Sequence, residues 1–130
     1  MTNKTLEEEL TALDPPYETL EELKIGRTLD LYGIPFFYRQ PTIVTNPPTR
    51  QHEIWRPSFT LPQYGGAVID YLQEQERLQE RIALYRYNHI PATVLGPQDL
   101  HQPHWRQDLY ERIQQQRKMP AYPLDSFLQR

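Results

Sequence analysis

The sequence predicts an α/β domain in which a mixed sheet of about four strands is flanked by helices. Three observations carry this. Residues 55–72, WRPSFTLPQYGGAVIDYL, read as two short strands joined by a Pro–Gly turn. Helical spacing of apolar residues appears both before and after that stretch. After the second helical pattern, residues 90–95, IPATVL, read as one more strand, so that strand, helix and strand make a crossover, expected to be right-handed.

The run from Ala67 to Leu72 is mostly apolar and of strand length, as expected for a strand covered on both faces. An acid inside it is costly unless partnered, which singles out Asp70. Side chains in a strand alternate, so Val68, Asp70 and Leu72 share a face. On the preceding strand Ile54, Arg56, Ser58 and Thr60 share one. Pairing the two strands brings Ser58 near Asp70 with Arg56 close by. Arg56 is therefore the expected ion-pair partner of Asp70 or Glu22.

In chain order, Thr5 to Glu8 form a capping box, and Leu6, Leu10 and Leu13 predict a short helix over 5–13. Asp14 and Pro15 open a second helix that runs to Tyr32 and stops at Gly33. Glu22, Ile25, Gly26 and Leu29 fall on one face of it. Residues 34–44 read as the first strand and 46–49 as a turn, and 51–61 return antiparallel. Residues 73–88 are helical, with Leu78, Ile82 and Tyr85 as the buried stripe. Glu74, Glu76, Arg77, Glu80 and Arg81 read as a solvated outer face. Pro103 opens a last helix with the stripe Trp105, Leu109 and Ile113. The expected division is an N-terminal helical extension over 1–16, one domain over 17–118 and a tail over 119–130.

The absence of cysteine excludes disulfides and thiolate metal sites. No apolar run reaches membrane length and no signal-peptide pattern opens the chain, so a cytoplasmic home and no membrane partner are expected. The net charge of −3 gives no global attraction to nucleic acid, which leaves a local basic patch as the route to it. Arg39, Arg50, Arg56, Arg106, Arg112, Arg117 and Lys118, interleaved with Tyr38, Trp55, Trp105 and Tyr110, are the candidates. A packed core with a solvated surface explains the same residues equally well. The histidines, His52, His89, His101 and His104, lack the arrangement of a zinc site.

Pro57-Ser58-Phe59-Thr60-Leu61-Pro62 followed by Asp70-Tyr71-Leu72 resembles the paired strands of the PD-(D/E)XK nuclease superfamily, the restriction-endonuclease-like fold. There one strand carries Pro-Asp, and the next carries Asp or Glu, any residue, then Lys. Glu22, eleven residues before Gly33-Ile34, is similar to the glutamate of the family's first helix, which points over the sheet. The resemblance covers residues 17–116 and implies catalytic positions at Glu22, Ser58, Asp70 and Leu72, with Arg56 and Gln73 beside them. It implies Mg²⁺ as cofactor of an active member, held here only weakly by Glu22 and Asp70. Ser58 and Leu72 replace an acid and the lysine, so the expected protein is catalytically degenerate, with no cofactor. It would act in nucleic-acid binding, of DNA or RNA, or as an interaction subunit with a protein partner. An active metal-dependent nuclease with a migrated basic residue is the alternative; Lys24 is near Glu22 in sequence but on another face of that helix, and Gln73 and Gln75, after the third strand, are placed to contact a substrate. A homodimeric or higher homo-oligomeric structural module is the third reading.

Overall fold

The computed structural model describes residues 16–118. The helix expected over 5–13, the Asp14 cap and the tail over 119–130 lie outside the described residues. Four strands form the main sheet in the order β1 (Phe37–Tyr38), β4 (Phe59–Leu61), β5 (Ala67–Tyr71) and β6 (Ala92–Leu95). β1, β4 and β5 pair antiparallel, and β5 and β6 pair parallel. Helices α1 (Leu20–Leu31), α2 (Leu78–Tyr87), α3 (Pro97–Leu100) and α4 (Trp105–Lys118) flank it. The α/β class and the mixed sheet are as the sequence predicts.

Every residue of β5 is buried, which fits its place between two covered faces. Ile69 and Tyr71 join Phe59 and Leu61 in the larger core, with Leu23, Ile25 and Leu29 of α1 and Trp105, Leu109 and Ile113 of α4. Val68 points the other way, to Leu78 and Tyr85 of α2 and Val94 of β6. Alternation along one strand thus assigns α1 and α4 to one face of the sheet and α2 to the other.

The two long strands expected over 34–44 and 51–61 are each broken. β2 (Thr42–Thr45) and β3 (His52–Trp55) form a separate two-stranded sheet. Arg39 takes a left-handed φ of 55°, rare for a residue with a side chain. Pro41 and Pro57 flank the break and have no N–H to give a ladder. A two-way clasp holds the corner: Arg39 Nη1 donates to the Arg56 carbonyl at 3.3 Å, and Arg56 Nη1 donates to the Arg39 carbonyl at 3.3 Å. Asn88, just past α2, docks the hairpin by accepting from Thr45 N at 2.6 Å and donating to the Thr45 carbonyl at 3.1 Å.

Thr19, not Asp14, caps α1, accepting from Glu22 N at 3.1 Å. Gly33 ends it at φ 68°, and Ile34 N closes onto the Leu29 carbonyl at 2.9 Å. The helix expected from Gln73 begins only at Leu78, because residues 75–77 form a 3₁₀ turn. The Gln75 side chain of that turn accepts from Gln98 N at the start of α3. α3 itself has no counterpart in the sequence reading.

Gly26 lies where α1 meets Tyr17. A Cβ at position 26 would clash with the Tyr17 hydroxyl and ring. Gly26→Ala gains about 1 kcal/mol of helix propensity but incurs roughly 1–3 kcal/mol of overpacking. Chemical denaturation is expected to show net destabilisation in the wild-type background. In Tyr17→Ala protein, where the obstruction is gone, the same change is expected to stabilise. An unchanged sign between the two backgrounds would rule out the clash.

Candidate functional site

The register Phe59↔Ile69 places Ser58 opposite Asp70 on adjacent strands, as the sequence predicts. Both are buried, at 0% and 3% exposure. Asp70 Oδ1 accepts from Ser58 N at 3.4 Å and, at the limit of hydrogen-bond length, from Ser58 Oγ at 3.5 Å. Ser58 Oγ in turn accepts from Tyr71 N at 3.1 Å. Asp70 Oδ2 accepts from the Tyr85 hydroxyl at 2.7 Å and pairs with Arg81 Nη1 at 3.1 Å. Burial, and next the Asp70 charge, raise the Tyr85 hydroxyl well above its ordinary pKa, so it stays a donor.

The ion-pair partner of Asp70 is therefore Arg81, and the expectation of Arg56 is corrected. Arg56 is exposed and spends its guanidinium on the Arg39 carbonyl, because the chain turns out of the main sheet at Pro57. Arg81, expected on the solvated face, sits three residues after buried Leu78 and four before buried Tyr85. That spacing puts it at the margin of the buried stripe, a signal present in the sequence. Its guanidinium lies 4.2 Å from the Trp55 ring centroid, a cation–π contact, and Trp55 meets Tyr85 edge-on at 5.5 Å.

Glu22 is buried, at 1% exposure, in a different network. Its Oε1 accepts from the Tyr38 hydroxyl at 2.8 Å, and its Oε2 lies 2.8 Å from Arg39 Nη2. The Arg39 contact is ionic without hydrogen-bond alignment, since Oε2 has no aligned donor. Arg39 also reaches Glu18 at 3.2 Å, and Tyr38 accepts from Glu18 N at 2.8 Å. Tyr38 packs against the α1 side of the sheet, whereas Asp70 bonds to α2 on the other side. Ser58 and Asp70 are brought together; Glu22 does not join them. Leu72 is half-buried against the α2-side core, and Gln73 and Lys24 are exposed.

This donor set does not fit a Mg²⁺ site, which wants hard oxygen ligands in octahedral array. Arg81 and Tyr85 already hold one Asp70 oxygen, and the neutral Ser58 is the other side-chain partner. Among the described residues no three His, Asp or Glu side chains gather in a metal-binding arrangement. Beside Arg81, between the hairpin and α2, lies a cleft of about 650 Å³ that Trp55, Leu84 and Tyr87 help to line.

The expected basic and aromatic residues are largely used internally. Arg39 pairs with Glu22, Arg106 stacks on Trp105 at 4.4 Å, and Tyr110 stacks on Tyr32 at 4.6 Å. The side chains of Arg117 and Lys118 lie outside the described residues. No described helix is long and apolar enough to cross a membrane. Comparisons of the chain with protein-family models, curated proteins and solved structures return no match.

Arg81→Ala would leave Asp70 buried without its cation, and a loss of about 3–5 kcal/mol is expected. Arg56→Ala removes an exposed bond to a carbonyl, and less than about 1 kcal/mol is expected. In a double-mutant cycle, Asp70→Asn should recover part of the Arg81→Ala loss. Denaturant unfolding reads all four proteins, and additivity of the Arg81 and Asp70 changes would refute the pairing.

The Tyr17 and Tyr38 hydroxyls are both pushed up to about 12 from 10.0, chiefly by burial. Below pH 10 these phenols are protonated whether the chain is folded or not, and their contribution to stability is fully present. Between pH 10 and about 12 the unfolded chain releases these protons and the folded chain keeps them, so stability falls as pH rises. Tyr17→Phe keeps the ring and removes one such proton. A shallower alkaline loss, by about one proton, is expected in unfolding curves taken across that window. Superimposable pH profiles for the two proteins would exclude a protected Tyr17 phenol.

Proposed function

We propose that the chain is a catalytically silent, nucleic-acid-binding domain of restriction-endonuclease-like architecture. The observation that carries this reading is the separate neutralisation of its two motif acids. Asp70 is held by Arg81 on the α2 side of the sheet, and Glu22 by Arg39 on the α1 side. Phosphodiester hydrolysis of the metal-dependent kind needs carboxylates that converge on one cation. Here each carboxylate already has a cation from the protein itself.

Two further features support the reading. Leu72 stands where the motif calls for lysine, so that position supplies no cation, a loss worth about 10²–10³ in rate in comparable sites, and the guanidinium near Asp70 is already paired with it. Ser58 is fully buried and accepts a hydrogen bond from Tyr71 N while its own N–H approaches Asp70. An acid at position 58 would face Asp70 with only one arginine between them. The neutral hydroxyl thus suits a packed, singly charged centre rather than a metal site. The resemblance to a nucleic-acid enzyme, from the paired-strand motif and the helix–strand order, supports nucleic acid as the partner class.

The purified protein is expected to leave supercoiled plasmid, single-stranded DNA and RNA intact in Mg²⁺ or Mn²⁺, while retarding labelled DNA in low-salt buffer. Metal-dependent cleavage that is lost in Asp70→Asn, with the fold retained, would overturn the silent-site reading in favour of an active nuclease. Absence of any nucleic-acid binding at low salt would overturn the partner class.

A further inference from the structure

We propose that the cleft between the C-terminal end of α2 and the flank of α4 is the site that takes the phosphate backbone of nucleic acid. This deepens, and rests on, the nucleic-acid-binding reading above. The cleft has a volume of about 380 Å³, and Arg86, His89, Arg112 and Gln116 line it above Ile90 and Pro91. No aspartate or glutamate is among its lining residues. In a protein of net charge −3 this is a local concentration of positive charge.

The two arginines differ from Arg39, Arg77 and Arg81 in having no acidic partner among the described residues, and from Arg27, Arg50, Arg56 and Arg106, which also have none, in lining one cleft together. Arg39 and Arg81 are each committed to a buried acid, and Arg77 lies 3.8 Å from Glu80. Among the described residues, neither Arg86 nor Arg112 has an acid within 4.0 Å. Asp108 precedes Arg112 by one helical turn and Glu111 is its neighbour, yet neither is close enough to pair. Arg112 is half-buried and has no acid within 4.0 Å among the described residues, although its other side shares a small pocket with Asp99 and Asp108. Gln116 Oε1 is buried without a hydrogen-bond partner. Turning that amide would present two N–H donors to an incoming oxygen.

The helix dipole accounts for only part of this. Arg86 sits in the last turn of α2, where a positive charge is favourable. Arg112 lies in the middle of α4, so the dipole gives no reason for it. A phosphate oxygen answers the requirements of both helices, since guanidinium matches phosphate in geometry and charge.

The lining also selects between sources of phosphate. Among its residues the only aromatic ring apart from the His89 imidazole is Tyr85, which is buried and already bonded to Asp70. The exposed His89 imidazole is thus the one ring face on which a base could stack, a small platform for a free nucleotide. A backbone needs no such face: phosphate contacts position a strand without reading its sequence.

The test uses fluorescence anisotropy with labelled duplex and single-stranded oligonucleotides over a salt series. Three proteins are compared: the wild type, Arg86→Ala/Arg112→Ala, and Lys24→Ala/Arg27→Ala, which removes equal charge from exposed positions on α1. The cleft variant is expected to bind about tenfold or more weakly, and its slope of log K against log salt should be shallower by about 2. The α1 variant should match the wild type. If both variants weaken alike, or the cleft variant binds normally, the cleft assignment falls while nucleic-acid binding stands. If the wild type binds no oligonucleotide at low salt, the underlying reading falls too. A second arm separates the sources by thermal melting in inorganic phosphate against chloride at equal ionic strength. Stabilisation by phosphate that is lost in the cleft variant, without oligonucleotide binding, would make this a small-anion site and overturn the nucleic-acid assignment.

Discussion

A carboxylate in the middle of a strand buried on both faces sets the terms for the rest of this domain. Asp70 is flanked by Val68, Ile69 and Tyr71, all in the core, and has almost no solvent to stabilise its charge. The structure meets that demand with four donors, two from Ser58 beside β4 and two from α2. Ser58 supplies its N–H and hydroxyl from the adjoining strand, Tyr85 its phenol and Arg81 its guanidinium from α2. Trp55, from the separate hairpin, then covers the guanidinium. One charge thereby ties β4, β5, α2 and the hairpin into a single polar centre. Its geometry is demanding: removing Arg81 would leave the buried charge uncompensated, and removing Tyr85 would leave it one donor short.

Glu22 poses the same problem on the other side of the sheet and receives a different answer. Its partners Tyr38 and Arg39 come from the end of β1, where the chain bends away from the main sheet. The left-handed backbone of Arg39 lets its N–H continue the pairing with the Ser58 carbonyl while its side chain turns to Glu22. The break that creates the small second sheet and the neutralisation of Glu22 are thus two consequences of one residue's conformation. The strain of a non-glycine residue at positive φ is offset by a buried ion pair and the clasp with Arg56.

What was legible in the sequence follows from periodicity. Trp105, Leu109 and Ile113 repeat at helical spacing and all are buried, and Ala67 to Tyr71 form the central strand. The Ser58–Asp70 juxtaposition follows from a period of two on paired strands. Conformations without a residue signature were not legible. Nothing in Tyr38-Arg39-Gln40-Pro41 announces a left-handed arginine, so two unbroken strands were expected where four short ones stand. The same corner decides the ion pair. On an unbroken strand Arg56 shares a face with Ser58; once the chain leaves the sheet at Pro57, Arg56 points elsewhere. Arg81 was legible in principle from Leu78 and Tyr85, but its charge suggested solvent. The burial of Glu22 could be read from the stripe of Ile25 and Leu29, whereas its partner required the corner at Arg39.

The two neutralised acids also constrain where this protein can meet a charged ligand. A phosphate approaching Asp70 would have to draw Arg81 away from it, exposing a buried carboxylate to another anion. The same holds for Arg39 and Glu22. Neither arginine is available to a ligand without a large cost in stability. A guanidinium can serve recognition only where the fold does not already depend on it. Among the arginines that line clefts, Arg86 and Arg112 satisfy that condition. The chemistry of the interior thus leaves arginines uncommitted at the far end of α2 rather than beside the two buried acids.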